Sequence, residues 1–319
     1  NTSVTALLNQ GENMIKKMKY PLAILFALVL PLAVSNTYYV TMFCLTVIYM
    51  IIAFGMNFIT GMTGQMNLGT AGIFCLGAYT SALLSTRLSL SPWIGMAASA
   101  VMGLLIGVGL GYPSFRLEGV YLSLTTIAFG EVVRQLANNM TSVTGGAQGG
   151  RNIPPFTIFG YEIVTKTQNY YFILGFVLLF AFTAYRIIHS KWGRAFMAIR
   201  DNIEAVETCG INTAHIKIVA FTLAAVYGCV AGSLYAHYST YINASSFTLN
   251  LSVSFVVMIL IGGMGNLWGC MLGAVIVSML PEFLRFTGEY YQLTYSVLIL
   301  LCIIFMPGGI LTAFKRKDS

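Results

Sequence analysis

The 319-residue chain is short of charge. Asp, Glu, Lys and Arg make up 8% of it, against about 25% in a soluble domain, too few to cover a globular surface exposed to water. No Gly-Lys dipeptide occurs. The glycine-rich stretch TGGAQGGR (Thr144–Arg151) therefore lacks the GK[ST] ending of a phosphate-binding loop, and nothing in the chain is suited to hydrolysing ATP. The cysteines (Cys44, Cys75, Cys209, Cys229, Cys270, Cys302) and histidines (His189, His215, His237) are scattered, with no CxxC pair. Neither a disulfide framework nor a metal site is indicated. No HExxH, no Ser/His/Asp order and no paired carboxylates within an apolar run point to an intramembrane enzyme. No acid or cation falls near the middle of an apolar run, as an ion-coupled secondary transporter would need. The net charge of +7 comes from short clusters between apolar runs, which points to membrane topology rather than nucleic acid.

What the chain has in abundance is hydrocarbon: 57% of its residues are hydrophobic and the mean hydropathy is +0.78. Apolar runs fall at 20–35, 38–59, 65–85, 93–111, 119–138, 170–188, 217–238, 246–263, 265–284 and 290–306. A full span needs about 20 residues, so the shorter runs predict half-spanning or re-entrant segments. The expected fold is an all-α polytopic membrane protein of about ten (eight to ten) helices, forming one transmembrane domain over 1–319. Lys16, Lys17 and Lys19 precede the first run without a cleavage site, which reads as a retained signal anchor. With the N-terminus inside, twelve Lys and Arg residues fall on the cytoplasmic side and five (Arg87, Arg134, Arg151, Lys166, Arg285) on the other. This bias predicts both termini inside, a cytoplasmic segment 1–19, an external loop 139–169 and a cytoplasmic loop 189–216.

The cytoplasmic loop carries the sharpest local signal. Asp201 followed by Glu204 has capping-box spacing and predicts a short helix over 202–209, closed by Gly210. Ile199, Ile203 and Val206 fall near one face, so the helix is amphipathic. Such a helix either lies on the membrane surface or docks a partner. Glu204-Ala205-Val206, three residues and then Gly210 resemble the EAA loop of ABC importer permeases, though Ala220-Phe221-Thr222-Leu223 replaces its downstream proline motif.

Four ordered blocks make a closer resemblance. GMTGQMNLGTAGIFCLGAYTSALL (Gly61–Leu84), LEGVYLSLTTIAFGE (Leu117–Glu131), GRAFMAIRDNIEAVETCGINTAHIKIVAFTLAAVYGCVAGSLYA (Gly193–Ala236) and MILIGGMGNLWGCMLGA (Met258–Ala274) resemble LivM-type permease subunits of high-affinity branched-chain amino acid ABC importers. Urea and amide importers use closely related subunits. The resemblance implies a type II-like importer permease in a bacterial inner membrane, working by alternating access. Its implied partners are a LivH-like second permease, two cytoplasmic ATPases that carry ATP and Mg, an extracytoplasmic solute-binding protein and the lipid bilayer. The chain itself would bind no cofactor and no nucleic acid. Arg200, Asp201, Glu204, Ala205, Glu207 and Gly210 would couple to the ATPases.

The glycine-rich blocks then acquire a physical reading. Small residues let helix backbones approach closely in lipid. Gln65 and Asn67 would be costly facing hydrocarbon, so they either tie helices together or line the translocation path. Gly64, Gln65, Asn67 and Gly69, echoed by Gly263, Gly265 and Asn266, are the candidate path or gate residues. Glu131 with Arg134, and Glu282 with Arg285, have i,i+3 spacing near helix ends and partly neutralise themselves. Glu131, Arg134 and Arg151 are candidate contacts for the binding protein. The 144–151 stretch sits near the entrance or is a plain connector.

Overall fold

The computed structural model describes residues 36–310 apart from 115, 118, 159 and 307. The expected first span at 20–35, the lysine clusters at both ends and Glu118 lie outside the described residues. Twelve α-helices occur among the described residues. In chain order they are α1 (Thr37–Met56), α2 (Thr70–Arg87), α3 (Pro92–Ser114), α4 (Val120–Asn139), α5 (Thr141–Thr144), α6 (Lys166–Ile188), α7 (Lys191–Asp201), α8 (Ile203–Thr208), α9 (Thr213–Ser239), α10 (Leu249–Gly262), α11 (Leu267–Phe283) and α12 (Tyr291–Phe305). The chain is an all-α polytopic membrane protein. Among the described residues, five helices are long and apolar enough to cross a bilayer: Thr37–Met62, in which α1 runs on through π-helical turns, Pro92–Ser114, Lys166–Ile188, Thr213–Ser239 and Leu267–Phe286. The helices α2 and α4 are not among them: α2 carries many glycine, serine and threonine residues and ends in Arg87, and α4 carries Glu131, Arg134, Gln135, Asn138 and Asn139.

Two spans form the centre. Most of the most apolar window of α1, and of α9, is buried, whereas little of that of α6 is, as expected of a helix facing lipid. Water does not drive these helices together in a membrane, so close packing must. Gly103, Gly107 and Gly111 put a smooth edge of α3 against α9. A Cβ at Gly103 or Gly111 would come within 3.0 Å of the α9 backbone at Val226 or Ile218. Thr46 Oγ1 and Ser278 Oγ, 2.9 Å apart, join α1 to α11, a contact worth about 0.6 kcal/mol in a bilayer protein. At the start of α1, the Tyr38 hydroxyl donates to Glu282 at 2.7 Å and accepts from Arg285 at 3.2 Å.

The long loop after α4 is folded rather than a plain connector. It holds α5, a 3₁₀ turn and a two-residue β-hairpin, Thr157–Ile158 with Tyr161–Glu162. Its residues Ile153, Phe156 and Ile163 are buried. Gly150 pairs with Ile242 through backbone hydrogen bonds in both directions. His237 of α9 is the anchor. Its Nδ1 lies 2.6 Å from the Pro154 carbonyl and its Nε2 lies 2.7 Å from Ser81 Oγ. A carbonyl only accepts, so Nδ1 carries the proton and Nε2 accepts from Ser81. The Ser233 hydroxyl in turn donates to Ser81 at 2.8 Å. The sequence offered no hint of this role for His237.

Candidate functional site

The α7–α8 pair occupies the loop singled out from sequence. Ser190 caps α7 by accepting from Trp192 N at 3.1 Å. Gly193, Phe196 and Ile199 are buried along one side of α7, and the Phe196 ring packs 6.3 Å from Phe58. One correction concerns α8. Asp201 is the last residue of α7, not the cap of α8. Asn202 takes that place, in extended conformation, and its Oδ1 accepts from Ala205 N at 3.0 Å. The loop turns in extended backbone between two helices, and the one residue at that break has the free Oδ1 the new helix needs.

The end of α8 follows the sequence expectation. Gly210 adopts φ +75. Gly210 N donates to Glu207 O and Ile211 N to Val206 O, the paired bonds of a Schellman motif. Glu207 accepts from the Thr213 hydroxyl at 2.7 Å, which ties α8 to the first turn of α9. Asp201, Glu204 and Ala205 stay exposed, and residues 199–204 line an open recess. Replacing Asn202 by alanine removes the cap, a loss of about 1 kcal/mol. The amides of 203–208 are expected to exchange with solvent about fivefold faster, as read by hydrogen exchange.

Arg200, Gly61, Gly64 and Gly265 meet at one point. After α1 the chain continues as a π-helix over Asn57–Met62, a form that is rare and frequent at functional sites. Arg200 Nη1 donates to the Gly61 carbonyl at 2.7 Å. Gly64, at φ +73, lies under the aliphatic part of Arg200, whose Cγ would stand 3.2 Å from a Cβ there. Asn57 Oδ1 accepts from Gly265 N at 2.9 Å. Gly61 has no room for a side chain, because Asn57 and the Gly265 amide already fill the space. The α7 helix is thus latched to the broken end of α1, and that end to the turn between α10 and α11. Asn57 and Gly61 complete this junction, and sequence reasoning did not single out either of them as its parts.

The other candidate path residues continue upward from this point. Ala71 N donates to Ser252 Oγ at 2.9 Å. Ser252 is ten residues before Gly262 in α10, about 15 Å along a helix. Residues 63–69, which contain no helix, therefore climb well into the bundle before α2 begins. Non-helical backbone is tolerated there only where protein or water satisfies it. Asn67, fully buried, receives Gly69 N at 2.9 Å, and Thr126 of α4 receives Leu68 N at 3.1 Å. Gly69 and Gly72 abut α4 so closely that a Cβ would strike the Thr126 carbonyl or Gly130 Cα. Four polar atoms of this region, Asn57 Nδ2, Thr60 Oγ1, Gln65 Oε1 and Asn67 Nδ2, are buried without a protein partner. In the turn after α10, Gly263 has φ +113 and Asn266 caps α11 by accepting from Trp268 N at 3.0 Å.

Glu131 and Arg134 pair with each other, Nε to Oε2 at 2.9 Å, and Gln135 also donates to Glu131. They lie on α4, and Arg151 is exposed in the folded loop after it. The structure does not join Arg151 to this pair.

Comparison with known proteins agrees with this architecture. Residues 38–307 match the family described as branched-chain amino acid transport system / permease component. The chain is 32% identical over 290 residues to the high-affinity branched-chain amino acid transport system permease protein LivM of Salmonella typhimurium, covering 84% of this chain and 68% of that protein. The LivM protein of Escherichia coli matches over the same shares at the same identity. The permease protein LivH of Salmonella typhimurium is 25% identical over 284 residues, 82% of this chain and 91% of that one. No solved structure matches. The chain belongs to the family of branched-chain amino acid transport permease components.

Proposed function

We propose that this chain is a membrane-spanning permease subunit of an ATP-driven importer for branched-chain amino acids. It forms one permease domain of the type II-like class, with both termini in the cytoplasm of a bacterium and the bundle in its inner membrane. An extracytoplasmic binding protein delivers the solute. Two cytoplasmic ATPases, which carry the ATP and Mg, press on the exposed residues Asp201, at the end of α7, and Glu204 and Ala205 of α8. The chain holds no cofactor. A second, LivH-like permease completes the path.

The observation that carries this reading is the Arg200 junction. A loop helix exposed to a partner is fastened, through one guanidinium, to the broken end of α1. That end is fastened through Asn57 to the turn between α10 and α11. Movement of α7 must therefore move two interrupted helices at once. The unpartnered atoms Asn57 Nδ2, Gln65 Oε1 and Asn67 Nδ2 suit a passage that water or a polar solute enters. The exposed side of α4, which carries Glu131 and Gln135, faces the second permease rather than lipid.

The test is ATP hydrolysis by the complex of this chain with its partner permease and ATPases in nanodiscs. Leucine-loaded binding protein is expected to stimulate hydrolysis, and leucine uptake is expected to follow ATP. Stimulation by urea in place of leucine would change the substrate. Uptake that follows an ion gradient without ATP would remove the importer reading.

A further inference from the structure

At the end of the bundle that the proposed orientation places outside, the folded loop after α4 and the end of α2 line a half-open cavity of about 180 Å³. That is smaller than the roughly 300–1,000 Å³ of sites for drug-sized ligands, so its ligand is small. Among the described residues, Arg87 and Arg151 line it and no carboxylate does. Arg87 is held by a bond to the Ser142 carbonyl. Part of the lining is aliphatic, from Leu83, Val143 and Ile242. Tyr79 also lines the cavity, 5% exposed, with its hydroxyl unpartnered. Two uncompensated guanidiniums ask for an anion. The fork of a guanidinium matches a carboxylate with two parallel hydrogen bonds. The aliphatic part of the lining asks for hydrocarbon attached to it.

We propose that this cavity is a binding site for a small aliphatic carboxylate, with Arg151 and Arg87 at the carboxylate and Leu83, Val143 and Ile242 along the chain. On the proposed function, on which this identification of the natural ligand rests, the ligand is a branched-chain amino acid bound by its α-carboxylate after release from the binding protein. The site is a staging post outside the path through the bundle. It holds its cargo weakly, since tight binding would stop onward transfer.

The full chain in lipid nanodiscs is titrated with leucine, with isocaproate, which keeps the carboxylate and lacks the ammonium, and with leucinamide, which lacks the carboxylate. Saturation-transfer NMR reads binding. Leucine and isocaproate are expected to saturate with dissociation constants on the order of 1 mM, and leucinamide is expected not to bind. Arg151→Gln is expected to weaken both carboxylates by about tenfold or more. Arg151 is exposed and makes no side-chain bond among the described residues, so the elution of the variant on size exclusion should not change. Tyr79→Phe is expected to weaken binding less. Equal binding of leucinamide, an unchanged affinity in Arg151→Gln, or binding of inorganic phosphate in preference to isocaproate would each overturn the site. Leucine uptake by the complex without carboxylate binding by this chain would remove the site and leave the transport reading intact. Arg151-dependent isocaproate binding with no leucine uptake would do the reverse.

Discussion

Replacing Arg200 by glutamine is expected to cut leucine uptake by the reconstituted complex at least tenfold while ATP hydrolysis continues. The side chain makes one charge-assisted bond, to the Gly61 carbonyl. Such bonds contribute about 1.5–3 kcal/mol, and each 1.4 kcal/mol is about a factor of ten in an equilibrium. Without it, α7 keeps its packing through Phe196 against Phe58, so the helix stays on the bundle. What is lost is the connection that makes the π-helical end of α1 move with α7. Glutamine is shorter and neutral, and reaches the carbonyl poorly. Arg200→Lys retains the alkyl stem over Gly64 and a positive charge, and is expected to fall between the two. Parallel measurement of uptake and of ATP hydrolysis checks this. Uptake equal to wild type in Arg200→Gln would mean that the junction transmits nothing.

Replacing Gly273 by leucine is expected to prevent the last spans from packing. In α11, Gly269 and Gly273 lie directly on α10, and a Cβ at Gly273 would sit well inside contact distance of the Met258 carbonyl oxygen. The obstruction is helix backbone, which cannot turn aside as a side chain can. Overpacking a core that can adjust costs about 1–3 kcal/mol, and here separation of the two helices is the only relief. Separation also breaks the contact between the α10–α11 turn and Asn57. The expected result is loss of the monodisperse peak on size-exclusion chromatography and a much reduced yield from membranes. Gly175 on α6 is the control: nothing lies within 4 Å of a Cβ there, and Gly175→Leu should behave as wild type. Equal stability of the two variants would contradict the close approach of α10 and α11.

Much of this arrangement is written locally in the chain. Nine of the ten apolar runs have helices at their places, and the tenth lies outside the described residues. Gly210 stood out because a helix commonly ends at glycine, whose lack of a Cβ lets it sit easily at positive φ. The misplaced cap shows the limit of such signals. Asp201 and Asn202 are both good caps. Choosing between them needs the knowledge that α7 extends through Asp201, which its buried residues Gly193, Phe196 and Ile199 could have suggested. The folding of the loop after α4 was partly legible too, since Ile153, Phe156 and Ile163 are too apolar for a simple tether. The Arg200 junction was not. Arg200 and Gly61 are 139 residues apart, Asn57 and Gly265 are 208 apart, and no local pattern encodes which backbone carbonyl a distant guanidinium will meet. The π-helix at Asn57–Met62 has no compositional mark either.

The short length of α10 bears on how the protein is made. Its 14 residues extend about 21 Å, against a hydrocarbon core of about 30 Å. Released singly into lipid during synthesis, this segment would leave backbone groups at its ends without partners. In the finished protein this helix and the turn after it are also tied to the first third of the chain: Ser252 receives Ala71 N, and Gly265 N meets Asn57. The early helices are equally incomplete, because the 63–69 stretch has no α10 to climb along until residues 249–262 emerge from the ribosome. Insertion of the last hairpin therefore closes the molecule. A chain stopped near residue 248 is expected to remain an open half-bundle that membrane proteases remove, so a late nonsense codon would be as damaging as an early one.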